Sequence, residues 1–372
     1  MKPSRTSLKI GELATGQDLE LPIFQFEPAD ITAPNVYIQA NVHGAEVQGN
    51  AVIYQLMQLL ENCELRGKVT LVPLANPLGI NQKSGEFTLG RFDPITGVNW
   101  NREYFDHKVD VAAWYAEHSH LADGELIQAY RAMLVERCQI RLQSEWGVTT
   151  GQQQAVMLQR MGHEADIVLD LHTGPKACKH LYCPEYDAEA AKLFSIPYTL
   201  LIPNDFGGAM DESVFCPWWQ LSEYVGAQGR ELTVPVSAFT LELGSQEYID
   251  LDDALVDAKG IMAYLSHRGV VADSVPAAPM QRFACYLKDY KKFHSPMGGM
   301  VEYLAKVGQP LVAGEPLANI LRLDQYGSSK VLTPLCLSQD CVPVLHFASA
   351  SVYQGTELYK VMTNVFVMTN SE

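Results

Sequence analysis

The chain has 372 residues, 47% of them hydrophobic and 19% charged, enough for more than one domain around a large buried core. Its 27 Lys and Arg against 43 Asp and Glu leave a net charge of −16, which repels nucleic acid and anionic membranes, so an acidic ligand would need local Arg residues. No stretch approaches the roughly 18 apolar residues of a membrane span, Met1 to Leu8 lacks the apolar centre of a signal peptide, and eight scattered Cys form neither a zinc ribbon nor a disulfide framework, so a cytoplasmic chain with free thiols is expected.

Residues 1–34 read as edge strands, Leu19 to Phe26 among them, ahead of a first core strand at Val36 to Ala40. The turn after it is His43-Gly44-Ala45-Glu46, leading into a helical run that ends near Leu60. A His and a Glu three apart on one loop read as two zinc ligands, because Zn²⁺ takes neutral imidazole and carboxylate readily. Lys68 to Pro73 is the next strand, followed by Asn76-Pro77, Arg91 and Asn99-Trp100-Asn101-Arg102. Residues 103–163 read as a helical insertion bordering a pocket, with spaced apolar positions over Val111 to Arg141 and again over Gln152 to Met161. Its His118 and His120 are two apart on a helix and face different ways, which places them on solvated surface.

Two apolar runs then end in polar side chains. Asp166-Ile-Val-Leu-Asp170-Leu-His172 supplies a third ligand candidate, His172, and Asp170 two residues earlier shares its face of the strand, where a carboxylate can receive the second imidazole N–H. Ala238-Phe-Thr-Leu-Glu242-Leu-Gly244 ends in Glu242, a spare carboxylate on a buried strand. Catalytic zinc keeps three protein ligands and an open position, and a proton carrier must stand beside it. Each candidate follows a run rich in β-branched residues, where open α/β sheets place their sites. Cys178, His180 and Cys183 lie on a strand-like segment and are expected as buried side chains without metal.

The ordered set His43-x-x-Glu46, Asn76-Pro77, Arg91, Asn101-Arg102, Asp170-x-His172 and Glu242-x-Gly244 resembles the succinylglutamate desuccinylase and aspartoacylase family, a branch of the zinc carboxypeptidase clan. It departs from the family pattern at Asn99, where Asp is usual, and in the length of Phe92 to Val98. The resemblance implies a three-layer α/β/α fold with a mostly parallel mixed sheet, one Zn²⁺ per chain held by His43, Glu46 and His172, and Glu242 as general base and acid. It also implies Asn101 and Arg102 on a substrate carboxylate, since a guanidinium forks onto a carboxylate with two hydrogen bonds, and Arg91 on the scissile carbonyl. Read as ordinary residues, Arg91 and Arg102 would be surface cations and Asp170 a local pairing partner.

Asp252 to Arg268 reads as the last helix of a catalytic domain spanning 1–268, and 269–282 as a linker rich in Gly, Asp, Ser and Pro. Residues 283–372 read as a small all-β domain resembling a biotinyl or lipoyl-type barrel sandwich. Gly314-Glu-Pro-Leu317-Ala-Asn-Ile320 matches Gly355-Thr-Glu-Leu358-Tyr-Lys-Val361, a two-fold internal repeat. No Lys in a carrier setting joins the halves, so Lys330 is not expected to be modified. The expectation for the whole chain is a deacylase acting on a small N-acyl amino acid, with amide preferred over ester. A carboxypeptidase for short peptides and a silent metal-binding scaffold are the alternatives, and homo-oligomer or monomer is left open.

Overall fold

A computed structural model describes residues 1–369 of the chain. Its centre is a ten-stranded mixed sheet in which five neighbouring pairs are parallel and four antiparallel. The N-terminal strands Ser4–Glu12 and Asp18–Phe26 form one antiparallel edge. The middle is parallel, with Val69–Val72, Val36–Ala40, Ile167–Gly174 and Ser237–Ser245 side by side.

These middle strands are apolar on both faces because helices cover both. All eight residues of Ile167–Gly174 are buried. Side chains alternate between two cores: Ile38, Leu169, Leu171, Phe239 and Leu241 pack into one, Tyr37, Val168 and Ala238 into the other. The first core is closed by the helix Gln48–Glu61, whose Val52, Ile53, Leu56 and Leu60 recur at helical spacing, and by the helix Leu251–His267. The second is closed by the helices Val111–His118, Asp123–Leu142, Thr150–His163 and Met210–Ala227. The region expected as a helical insertion is therefore three helices, and residues 103–110 that lead into them are irregular.

On the face of the second core the strand residues turn polar toward their carboxyl ends. Asp170 and His172 continue the series begun by Val168, and Thr240 and Glu242 continue that of Ala238. Parallel pairing with Thr240 opposite Asp170 and Glu242 opposite His172 sets these four side chains in two adjacent rows. A site beyond the carboxyl ends of parallel strands follows from that change of polarity.

The C-terminal segment interleaves with this sheet. Phe283–Tyr286 pairs in parallel with Tyr198–Ile202 and, through Phe366–Val367, ends the large sheet. The small β portion expected from residue 283 thus first lends a strand to the main sheet and forms sheets of its own from Tyr290 onward. Two four-stranded sheets follow, and one of them takes its edge from Lys176–Ala177, far back in the chain. The repeated segments become interior strands, Pro316–Leu321 in one sheet and Glu357–Met362 in the other, and Leu317 and Leu358 share one apolar core. The turn glycines before them, Gly314 and Gly355, have φ of 86° and 87°, so the repeat extends to backbone conformation.

Candidate metal centre

The His43–Glu46 turn is built by its backbone before any ligand is considered. Asn41, with φ of 69°, donates its side-chain amide to the carbonyls of His43 and Gly44 at 3.1 and 3.2 Å, which closes the turn. A Cβ on Gly44 would stand 2.0 Å from the Gly79 carbonyl oxygen, so only glycine lets the turn press against that neighbour. The neighbour is held by Asn76-Pro77. Asn76 caps the short helix Pro77–Asn81 by accepting from the Gly79 N–H at 2.8 Å, and it donates to the Val42 carbonyl at 2.8 Å. The Asn-Pro pair is therefore a strut under the metal turn.

His43, Glu46 and His172 converge, all buried, with one ligand atom from each within 4.8 Å of the other two. His43 Nδ1 lies 2.9 Å from Glu46 Oε1 and His172 Nδ1 lies 2.8 Å from Glu46 Oε2. The opposite ring nitrogens fix the tautomers. His43 Nε2 is 2.8 Å from Asn99 Oδ1, an atom that also accepts the Asn101 backbone N–H at 2.8 Å and so is the amide oxygen. His172 Nε2 is 2.8 Å from Asp170 Oδ2, and Asp170 is itself anchored by Gln39 Nε2 at 2.9 Å. With Nε2 of each imidazole facing an acceptor, both Nδ1 atoms are left facing carboxylate oxygens. Lone pair against lone pair in a buried site requires a proton or a metal cation between them.

The electrostatics state the same demand. Burial raises Glu46, but the adjoining His43 and His172 outweigh it and hold the carboxylate well below its usual range. Burial pushes His172 down, yet Asp170 and Glu46 on either side overcome it and hold the imidazolium well above its ordinary value. A divalent cation satisfies this charge pattern as a proton does, and two imidazoles with one carboxylate form a donor set suited to zinc.

Around this group stand the other residues singled out from sequence. Glu242 sits beside His172 across the strand pair, its Oε2 buried without a partner, and burial followed by the charge of Glu46 raises its pKa. Arg91 donates to Glu46 Oε1 at 3.0 Å with 44% of its side chain exposed at the cavity wall, so it is tied to the ligand group and is no ordinary surface cation. Asn101 is buried with its amide nitrogen 3.4 Å from His172 Nε2, and Arg102, bonded to the Asn101 carbonyl, lines the same cavity. Asn99, the departure from the family pattern, accepts from His43 with an amide oxygen where a carboxylate would serve.

The cavity measures about 400 Å³, and Leu345, Phe347, Glu357 and Lys360 of the C-terminal sheets form part of its wall. Burial lowers the pKa of Lys360. No spacing in the sequence points to these residues, or to Asp211 across the cavity, because they come from elements distant in the chain; Thr240 joins the cavity as the neighbour of Glu242 on one strand. Cys178, His180 and Cys183 form no metal group: His180 Nδ1 donates to the Cys178 carbonyl at 3.0 Å and Cys183 Sγ turns to the Pro184 carbonyl. His118 bonds the Trp114 carbonyl at 2.8 Å and stacks on its ring. A second convergence, His107, Cys138 and His163, lies buried among the insertion helices. There the two Nε2 atoms are 2.8 Å apart, one imidazole donating to the other, and burial keeps both rings neutral.

Residues 32–268 match the model of the succinylglutamate desuccinylase/aspartoacylase catalytic domain. Among curated proteins none matches the chain. Among solved structures, a protein of this family from Shewanella frigidimarina NCIMB 400 is similar at 70% identity and a TM-score of 0.98, with 100% of each chain covered. Another from Shewanella amazonensis SB2B is 68% identical with a TM-score of 0.97, over 98% of this chain and 100% of that one. A succinylglutamate desuccinylase/aspartoacylase from Rhodobacter sphaeroides, 18% identical, shares the fold with a TM-score of 0.67 over 97% and 96% of the two chains. On a catalytic-domain match over more than half its length, and with relatives identical at two positions in three, the chain belongs to the succinylglutamate desuccinylase/aspartoacylase family.

Proposed function

We propose that the protein is a zinc-dependent hydrolase that removes the acyl group from a small N-acyl amino acid. The observation that carries this reading is the convergence of two imidazole Nδ1 atoms on one buried carboxylate, with an unpartnered glutamate oxygen alongside. His43, Glu46 and His172 would hold one zinc ion, which when bound supplies a Lewis acid and lowers the pKa of water towards roughly 7. Asp170 and Asn99 orient the two imidazoles and fix their ligating tautomer.

Glu242 takes the proton from the attacking water and returns it to the departing amine, a use for the raised pKa of a buried carboxyl. Arg91, already at the ligand group, offers its remaining N–H groups to the oxygen that gains charge. Asn101 and Arg102 bind the carboxylate of the amino acid from the adjoining wall. The C-terminal sheets, which we read as a barrel sandwich, restrict the mouth, and about 400 Å³ suits a small molecule better than a peptide chain.

The test is turnover of N-acyl amino acids and dipeptides by the zinc-loaded protein, with Glu242→Ala in parallel. Hydrolysis of acyl amino acids that disappears in the variant sustains the proposal. Preference for dipeptides selects a carboxypeptidase, and inactivity on both panels with zinc bound selects a scaffold.

A further inference from the structure

Beyond Glu242 the cavity continues to a polar floor that the reaction as described leaves unused. Thr240 is two residues before Glu242 on the strand Ser237–Ser245, so its side chain lies on the same face, one row deeper. Asp211, in the first turn of the helix Met210–Ala227, lines the cavity with Thr240 and is only 2% exposed. Its Oδ1 accepts the Glu212 backbone N–H at 2.9 Å, and the Thr240 hydroxyl lies beside it. That hydroxyl is buried, and its interaction with Asp211 lowers the carboxyl's pKa in part. Among the described residues no Lys, Arg or His comes within ion-pairing distance of Asp211. Burial, then the negative charges of Glu212 and Asp170, push its pKa up to about 7.

The helix start accounts for only one oxygen of this carboxylate. Glu212 already accepts the N–H groups of Gly207 and Ala209 at 2.8 and 3.1 Å, and so serves the open start of the helix. The helix dipole favours an anion at this end, but an exposed side chain would answer that need equally. A buried carboxyl facing a cavity without a counter-charge holds its proton more readily, and a cation entering the cavity would let it ionise fully.

We propose that Asp211 and Thr240 form a subsite for the side chain of the leaving amino acid, selecting one that ends in an ammonium group. This rests on the deacylase reading for its reaction, and stereochemistry supplies the connection. Glu242 must reach the departing nitrogen. The carbon bearing that nitrogen also carries a carboxylate, directed to Asn101 and Arg102, and a side chain, directed to the row beneath Glu242. The substrate class is then an Nα-acylated basic amino acid, whose ammonium replaces the missing counter-ion and whose N–H groups meet Asp211 and Thr240.

The experiment compares Nα-acetylornithine with its neutral isostere Nα-acetylnorleucine and with Nα-acetylglutamate, in the zinc-loaded wild type, Asp211→Asn and Thr240→Val. A charged buried hydrogen bond predicts a kcat/KM preference of roughly 10- to 100-fold for ornithine over norleucine, collapsing in Asp211→Asn and shrinking in Thr240→Val. No preference, a preference for glutamate, or a loss shared equally by ornithine and norleucine derivatives in Asp211→Asn overturns the subsite. Calorimetric binding of free ornithine and norleucine to the same three proteins separates the two proposals. If no acyl amino acid is hydrolysed, the deacylase reading fails, yet an ornithine preference lost in Asp211→Asn still sustains the subsite. Equal binding of the two amino acids ends it.

Discussion

At the residue scale, each donor atom of the candidate centre is aimed by a partner on its far side. Asp170 stands at Nε2 of His172 and Asn99 at Nε2 of His43, which leaves both Nδ1 atoms for the proposed metal. Asp170→Asn is expected to weaken zinc binding by about 10- to 100-fold without unfolding the chain, as measured by competition with a chromophoric chelator. On the proposed roles, Glu242→Gln is expected to lower kcat by about 10²- to 10⁴-fold without loss of zinc, because Glu242 is assigned the proton and not the metal. His172 adds a pH dependence. Its metal-free pKa is well above the ordinary value, so at neutral pH the ring carries a proton that the metal must displace. Zinc uptake should therefore release protons, and affinity should fall as pH falls; calorimetry in buffers of different ionisation enthalpy measures both.

At the element scale, the ligand turn depends on close backbone approach as much as on its ligands. The Gly44 position meets the Gly79 carbonyl at a distance no Cβ tolerates, and Asn76 bridges the two segments. Gly44→Ala is expected to destabilise the protein by about 3 kcal/mol and to weaken zinc binding with it, since relief of the clash moves His43 and Glu46. Denaturant melts and zinc titration of one sample read both effects. Strand pairing matters in the same way: the parallel register that sets Glu242 opposite His172 also sets Thr240 opposite Asp170, so one hydrogen-bond ladder positions all four side chains.

At the scale of the whole molecule, the C-terminal sheets and the catalytic sheet are one construction. Phe283–Tyr286 pairs with Tyr198–Ile202, its Ala284 and Cys285 wholly buried, while Lys176–Ala177 crosses the other way into a small sheet. A chain ended at residue 282 would expose the edge of Tyr198–Ile202 and open the cavity wall at Lys360. It is expected to aggregate on expression, where the full chain stays soluble, as size-exclusion chromatography would show. The proposed zinc site joins elements distant in sequence, so chelation should lower the thermal midpoint of the full chain. Saturation at a thousand times the dissociation constant contributes about 4 kcal/mol to stability, and Glu46→Gln should abolish most of that zinc-dependent gain.

The members of the candidate centre were legible in the sequence because each depends on local geometry: a His and a Glu on one turn, an Asp and a His at strand spacing, a Glu closing an apolar run. The alternation of side chains along a strand made Asp170 and His172 neighbours before any packing was known. The repeat at Gly314 and Gly355 was legible for a similar reason, since matching turns need matching residues. Only the tertiary structure could show that the Asn99 amide oxygen stands at His43 Nε2, that the strand at residue 283 joins the large sheet, and that Asp211 and Lys360 face the cavity. Short-range order is written in neighbouring residues. Contacts between elements arise from how helices and sheets pack, and no spacing along one chain records that.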